Sequence, residues 1–188
     1  MSCTLILGGA RSGKSALAER LARESGKEVL YLATAGAVEG DGEMRARIRM
    51  HRERRPAHWH TVEEPLLLAA SLRRECTPSR VVLVDCLTLW LTNLMLCGGA
   101  GAPEVGQFTL PPGFDVQRAA FLDLLEEGLP GELLLVSNEV GMGIVPMGAL
   151  ARRFTDEAGS LNQAVAARAQ RVVLVAAGLP LTLKGGPC

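Results

Sequence analysis

The sequence predicts an α/β fold in which helices cover both faces of a mainly parallel β-sheet. Three observations predict it: short, continuously apolar runs recur along the 188 residues, segments with helical spacing separate these runs, and 48% of all residues are apolar. Continuously apolar strands are typical of a sheet that is buried on both faces. Their alternation with helices implies right-handed crossovers between parallel strands.

The elements follow one another regularly along the chain. Leucine-rich or β-branched runs predict strands at 4–7, 29–34, 81–85, 133–137, 172–178 and 181–183. Apolar residues at helical spacing predict helices at 14–24, 42–54, 66–75, 87–96, 114–126 and 156–169. Only Gly178, Leu179 and Pro180 separate the last two strands, so the final strand is expected to turn back antiparallel at an edge of the sheet.

Length and composition also predict the number of domains and argue against some classes of partner. A chain of 188 residues fits a single domain, 1–188, and the glycine- and proline-rich stretch 97–113 is expected to be a long surface loop within it. Lys+Arg and Asp+Glu balance at 20 each, which argues against nucleic acid as a partner. The longest apolar stretch, 81–97, is interrupted by Asp85, so no membrane insertion is expected.

Cysteine usage and the N-terminus predict a cytoplasmic protein. The five cysteines are scattered and form no CxxC pair, which argues against a disulfide framework and against a zinc site. The apolar run at the N-terminus is too short for a signal peptide.

Residues 8–15, GGARSGKS, match the phosphate-binding pattern G-x-x-x-x-G-K-[ST] between a predicted strand and a predicted helix. Backbone N–H groups of such a loop surround an anion, and the helix N-terminus adds its dipole. Lys14 is expected to bind the β- and γ-phosphates and Ser15 to ligate Mg²⁺. The pattern indicates a P-loop NTPase fold, with nucleotide contacts from the whole loop: Gly8, Gly9, Ala10, Arg11, Ser12, Gly13, Lys14 and Ser15.

A P-loop enzyme also needs an acidic residue at the end of another strand. Asp85 closes the run VVLVD and is the candidate to hold Mg²⁺, directly or through water; it is also a candidate cap for the helix that starts at Leu87, and the two roles can coexist. Glu139, after another strand, is the second candidate. No NKxD motif follows, which weakens the interpretation as a small GTPase-like switch.

All three histidines lie within residues 51–60, HRERRPAHWH. On the predicted helix, His51 follows Met44 and Ile48 at helical spacing while arginines crowd the remaining face. Such a segment is often only a solvated basic face. However, neighbouring guanidinium charges favour the neutral, nucleophilic form of an imidazole, and they would stabilise a leaving pyrophosphate. The pattern suits a phosphohistidine or nucleotidyl-histidine intermediate, whereas His58 and His60 are interpreted as mainly structural.

Taken together, the motifs resemble the bifunctional adenosylcobinamide kinase / adenosylcobinamide-phosphate guanylyltransferase family of cobalamin biosynthesis. The similarity covers nearly the whole chain, apart from 97–113. It is carried by GGARSGKS, by YLAT, by the histidine segment at 41–59, by Glu63, by VDCLTLWLTNL at 84–94, by SNEVGMGIVP at 137–146 and by the R-x-F-x-D-x-x-G-x-x-N-Q pattern at 152–163.

The resemblance implies a P-loop α/β fold and an enzyme that phosphorylates adenosylcobinamide with ATP or GTP, with Mg²⁺ as cofactor. It also implies GMP transfer from GTP through a guanylylated His51 to adenosylcobinamide phosphate, and a homo-oligomer, a trimer. Further nucleotide contacts are implied at Thr34, Ala35, Gly36, Arg52, Glu53, Arg54, Arg55, Glu63 and Asp85. Two alternatives stay open: a plain P-loop small-molecule kinase, and a nucleotide-binding regulatory protein. The segment VGMGIVP, 140–146, is expected to be a buried turn, with a subunit contact as the alternative.

Overall fold

The computed structural model describes residues 2–35, 56–97 and 108–186. Within these ranges the strands are β1 (Ser2–Gly8), β2 (Glu28–Ala33), β3 (His60–Glu63), β4 (Arg80–Asp85), β5 (Glu132–Asn138), β6 (Arg171–Ala176) and β7 (Leu179–Lys184). The helices are α1 (Lys14–Glu24), α2 (Leu68–Glu75), α3 (Leu87–Leu96), α4 (Phe114–Glu127) and α5 (Ala149–Arg168). The helix predicted at 42–54 lies outside the described residues.

All seven strands form one sheet in the order β3-β2-β4-β5-β1-β6-β7. Every pairing is parallel except that of β6 with β7, which is antiparallel at the edge. The predicted fold class is therefore confirmed. Because parallel strands all point the same way, the carboxyl ends of β1 to β6 meet at one edge of the sheet.

The core lies on both faces of this sheet, as the apolar strands require. Successive residues of β2 alternate between the faces: Leu30 and Leu32 join a larger cluster with α2 to α5, whereas Val29 and Tyr31 join a smaller cluster with α1. In the larger cluster the rings of Trp90 and Phe121 pack edge to face with centroids 5.1 Å apart, which joins α3 to α4. No helix in the described ranges is long and apolar enough to span a bilayer.

Three elements differ from the prediction. β3 is not among the predicted strands, and it pairs in parallel with β2 from His60 to Glu63. α5 begins at Ala149, seven residues before the predicted start at 156, because Leu150 and Phe154, one turn apart, pack against the larger core cluster. The last hairpin turns at Ala177 and Gly178, both with positive φ, so Leu179 and Pro180 belong to β7. Pro180 is tolerated because β7 is an edge strand.

The segment 140–146 is not a buried turn: the side chains of Met142 and Ile144 are 80% and 97% exposed, so that interpretation is wrong. Of the predicted surface loop 97–113, residues 98–107 lie outside the described ranges. Phe108, at the described end of this stretch, is buried in the larger core cluster.

Candidate active site

The strand register brings the predicted site residues to the carboxyl edge of the sheet. Gly8 at the end of β1 pairs with Asn138 of β5, and Ala33 of β2 pairs with Asp85 of β4. On the other side of β2, Ala33 also pairs with Glu63 of β3. Ligands of open α/β sheets bind at this edge.

Residues 8–15 form a tight loop between β1 and α1. Gly13, the residue before α1, has φ 98° in the left-handed region, which a side chain would strain. A Cβ at Gly8 would lie 2.4 Å from the Ser12 hydroxyl oxygen and 2.6 Å from the Val175 carbonyl oxygen. The two glycines of the motif are therefore required by the local backbone itself.

Neighbouring elements brace this loop. The Glu139 N–H donates to the Gly8 carbonyl at 3.1 Å, and the Gly178 N–H donates to the Ser12 carbonyl at 2.8 Å. The end of β5 and the β6–β7 hairpin thus hold the loop from two sides. Among the described residues, the buried Ser12 hydroxyl has no hydrogen-bond partner, a feature that suits a loop built to receive a polar ligand.

Lys14 is buried at the start of α1, and its Nζ donates to the Gly9 carbonyl at 3.0 Å. Burial lowers the pKa of Lys14, and the nearby Cys86 and Asp85 partly oppose that shift. Burial also raises the pKa of the Cys86 thiol to about 11, so the thiol is neutral at physiological pH. Among the described residues, the Asp85 carboxylate is therefore a neighbour whose charge favours the Lys14 cation. A phosphate entering the loop would meet a poorly solvated ammonium group.

We expect Gly8→Ala to lower affinity for GTP and ATP at least about tenfold, because the loop must shift to relieve two contacts that are too short. Titration with a fluorescent nucleotide measures the change. Gly159→Ala is the matched control: it lies in α5, and a Cβ there meets nothing within 4 Å. Unchanged affinity in Gly8→Ala would contradict the role of a close-fitting backbone.

Asp85 ends β4 beside this loop, and one of its carboxylate oxygens, Oδ2, accepts a hydrogen bond from the Tyr31 hydroxyl at 2.8 Å. Its alternative role as a helix cap is wrong, because Cys86 is the N-cap residue of α3 and no side chain caps that helix. Oxygen donors are what Mg²⁺ prefers. The Ser15 hydroxyl in the first turn of α1 and the half-exposed Asp85 carboxylate form a donor set that fits this ion.

A polar network lies behind Asp85. The Thr34 hydroxyl donates to the Cys86 carbonyl at 2.7 Å and accepts from the Cys86 N–H at 2.9 Å. Asn93 donates to the Thr34 carbonyl, and Asn138 donates to the Thr88 hydroxyl. Apart from Thr34, none of these side chains was singled out from the sequence. Their polarity within apolar runs was the one sequence feature that could have identified them.

The other predicted contacts are spread along the same edge. Ala35, half-buried, follows Thr34 directly. Glu63 is exposed at the end of β3, four strand spacings or roughly 19 Å from β1. Glu63 and Gly8, at the ends of β3 and β1, are therefore separated by the three strands β2, β4 and β5. Glu139, the second acidic candidate, accepts a hydrogen bond from the Gly141 N–H at 2.6 Å.

The histidine segment is only partly described. Gly36, His51, Arg52, Glu53, Arg54 and Arg55 lie outside the described residues. His58 and His60 are exposed, whereas Trp59 between them is buried against the smaller core cluster.

Solved structures share the fold at low sequence identity. A prototypical ATPase from the type III secretion system of pathogenic bacteria aligns with a TM-score of 0.54 and 14% identity, over 96% of this chain and 56% of its own. The assembled ATPase EscN of enteropathogenic E. coli aligns with a TM-score of 0.51 and 14% identity, over 94% of this chain and 43% of its own. These similarities support the P-loop fold and nothing finer.

Sequence relatives are far closer. The bifunctional adenosylcobalamin biosynthesis protein CobP of Pseudomonas aeruginosa is 60% identical, covering 97% of this chain and 98% of its own. CobU of Escherichia coli K12 is 41% identical, covering 96% and 98%. The family model for cobinamide kinase / cobinamide phosphate guanyltransferase matches residues 4–183. The chain therefore belongs to this family of bifunctional kinases and guanylyltransferases.

Proposed function

We propose that this chain phosphorylates adenosylcobinamide with ATP or GTP and then converts adenosylcobinamide phosphate to adenosylcobinamide-GDP, carrying GMP covalently on His51. The observation that supports it most is the loop at 8–15 with the buried Lys14 beside Asp85, since both reactions need a triphosphate held at this point. Membership of the family supports the two reaction types. The arginines near His51 in the sequence support His51 as the nucleophile.

In the kinase reaction, the substrate hydroxyl oxygen attacks the γ-phosphorus. The bond from that phosphorus to the β–γ bridging oxygen breaks, the hydroxyl proton is released, and the nucleoside diphosphate leaves. Little covalent chemistry falls to the protein, so catalysis depends on positioning and charge. The backbone N–H groups of the loop and Lys14 stabilise the charge on the transferring group and on the leaving diphosphate.

In the guanylyltransferase reaction, a neutral nitrogen of His51 attacks the α-phosphorus of GTP and pyrophosphate leaves. A phosphate oxygen of adenosylcobinamide phosphate then attacks the same phosphorus, the N–P bond breaks, and His51 is regenerated. Arg52, Arg54 and Arg55 are proposed to contact the phosphates, and Gly36 and Glu53 to complete the nucleotide contacts.

Ser15 and Asp85 are the residues proposed to hold Mg²⁺, in part through water. When bound, the ion supplies charge neutralisation on the phosphate oxygens. Ala35 and Glu63 are proposed nucleotide contacts. Because Glu63 lies roughly 19 Å from β1, we propose that it contacts the end of the nucleotide remote from the γ-phosphate.

The remaining proposals concern the whole molecule. We propose that residues 1–188 act as a single cytoplasmic domain and that the chain forms a trimer. The exposed apolar side chains of 140–147 support a subunit contact, because such residues are typical of surfaces covered by another chain. They are Val140, Met142, Ile144, Val145 and Met147.

Mass spectrometry after incubation with GTP and Mg²⁺ tests the covalent step. Cleavage after glutamate separates the histidines, since 44–53 contains His51 whereas 54–63 contains His58 and His60. We expect a GMP-sized mass on 44–53, kept at neutral or alkaline pH because N–P bonds are acid-labile. ATP in place of GTP is the nucleotide control.

A GMP adduct on 54–63 would overturn the assignment to His51. No adduct on any peptide, together with transfer of the γ-phosphate to cobinamide, would instead indicate a plain kinase.

A further inference from the structure

Tyr31 places a phenolic hydroxyl among the apolar residues of β2, directly behind the proposed metal residue. Its side chain is 2% exposed and packs in the smaller core cluster, while the hydroxyl donates to Asp85 Oδ2 at 2.8 Å. A buried tyrosine hydroxyl requires a partner, so burial of the ring on this face brings the hydroxyl and the carboxylate together.

Thr34 holds the next part of the same segment. It is fully buried, and its hydroxyl makes two hydrogen bonds to the backbone of Cys86. The Thr34 N–H also donates to the Asp85 carbonyl at 3.4 Å. Residues 31 and 34 of one chain segment therefore restrain both the side chain of Asp85 and the backbone around it.

The Tyr31 hydrogen bond restrains Asp85 without cancelling its charge. A carboxylate offers about four acceptor sites on two oxygens, and a neutral hydroxyl occupies one of them. An arginine or lysine in this place would instead compete with a cation. The remaining acceptor sites of Asp85 stay available toward Lys14 and the phosphate loop.

We propose that Tyr31 is a positioning residue that orients the Asp85 carboxylate toward the metal-nucleotide complex. Thr34 fixes the adjoining backbone and acts through Cys86, rather than through a nucleotide contact of its buried hydroxyl. This inference rests on the proposed metal role of Asp85. It adds a role for Tyr31, a residue that belongs neither to the phosphate-binding motif nor to the acidic candidates found in the sequence.

Tyr31→Phe tests the proposal, since it removes the hydroxyl and keeps the ring in the core. The measurement is Mn²⁺ binding by electron paramagnetic resonance, in the presence of a GTP analogue with a methylene group between the α- and β-phosphorus. The analogue prevents guanylyl transfer. We expect the dissociation constant for Mn²⁺ to rise about tenfold, as for partners of metal ligands elsewhere. Affinity for the analogue without metal should change less than about twofold.

Thr4→Val is the matched control, because it removes another buried hydroxyl, bonded to Arg171, from a central strand of the sheet. It should leave Mn²⁺ binding unchanged. Asp85→Asn should weaken Mn²⁺ binding more than Tyr31→Phe does. Adding Tyr31→Phe to Asp85→Asn should have no further effect, since both act through one carboxylate.

Mn²⁺ binding by Asp85→Asn and by Tyr31→Phe distinguishes the metal role of Asp85 from the positioning role of Tyr31. If Asp85→Asn weakens Mn²⁺ binding but Tyr31→Phe does not, the positioning role is wrong and the metal role of Asp85 stands. If Asp85→Asn has no effect, the metal role fails and the positioning role fails with it. An equal loss from Tyr31→Phe in both backgrounds would show that the hydroxyl acts elsewhere.

Discussion

His51→Ala is expected to lose covalent labelling by α-³²P-labelled GTP and to slow formation of adenosylcobinamide-GDP by at least about 10³-fold. Alanine offers no nitrogen to attack the α-phosphorus, so neither the adduct nor the onward transfer can form. Transfer of the γ-phosphate to adenosylcobinamide should persist, because that reaction uses the substrate hydroxyl as its nucleophile. Labelling from the α and γ positions in parallel measures both reactions.

His58→Ala and His60→Ala are the matched controls, since they make the same chemical change within the same ten-residue segment. Both side chains are exposed, and neither variant should lose the adduct. Wild-type labelling in His51→Ala would refute the proposed nucleophile. Loss of both reactions in that variant would show that His51 is needed to bind the nucleotide.

Lys14→Ala should reduce both reactions, each by about 10²- to 10³-fold in kcat/KM. The two reactions cleave different bonds of the triphosphate, but the same buried ammonium group faces the phosphate loop in both. Folding should be retained: since burial lowers the pKa of Lys14, removing the ammonium group relieves an unfavourable desolvation. Steady-state kinetics of each reaction, with circular dichroism for the fold, provide the measurement.

Lys27→Ala is the control for loss of a lysine, because Lys27 lies just before β2, at the opposite edge of the sheet, and pairs with Glu132 at 3.5 Å. It should have near-normal kinetics. If Lys14→Ala lost only one of the two reactions, a single shared triphosphate site would be contradicted.

Local patterns were enough to predict much of the fold. Continuous apolar runs depend only on burial of both faces, so β1, β2, β4, β5 and β6 were found close to their observed bounds. The start of α5 was not predicted, although Ala, Leu and Arg in 149–155 favour a helix. Leu150 and Phe154 of this segment pack against the larger core cluster. The exposure of 140–146 was missed because apolar residues usually predict burial.

Some residues of the candidate site could also be predicted from the sequence, and others could not. The phosphate loop was predictable because its chemistry depends on consecutive residues, and Asp85 because it ends an apolar run. The hydrogen bond that restrains the Asp85 carboxylate was not predictable. It depends on Tyr31, which is 54 positions away in sequence and adjacent only through the pairing of β2 with β4.

The fold class and the family could be read from the sequence, and the sequence also predicts the phosphate loop and proposes His51 as the nucleophile, because each rests on neighbouring residues or on ordered motifs. Three features depend on the packed chain: Tyr31 and Thr34 are hydrogen-bonded to Asp85 and Cys86, the β6–β7 turn is hydrogen-bonded to the phosphate loop, and residues 140–147 face outward. These features depend on strand register and on which face of the sheet each side chain meets, and both are set by packing between distant segments.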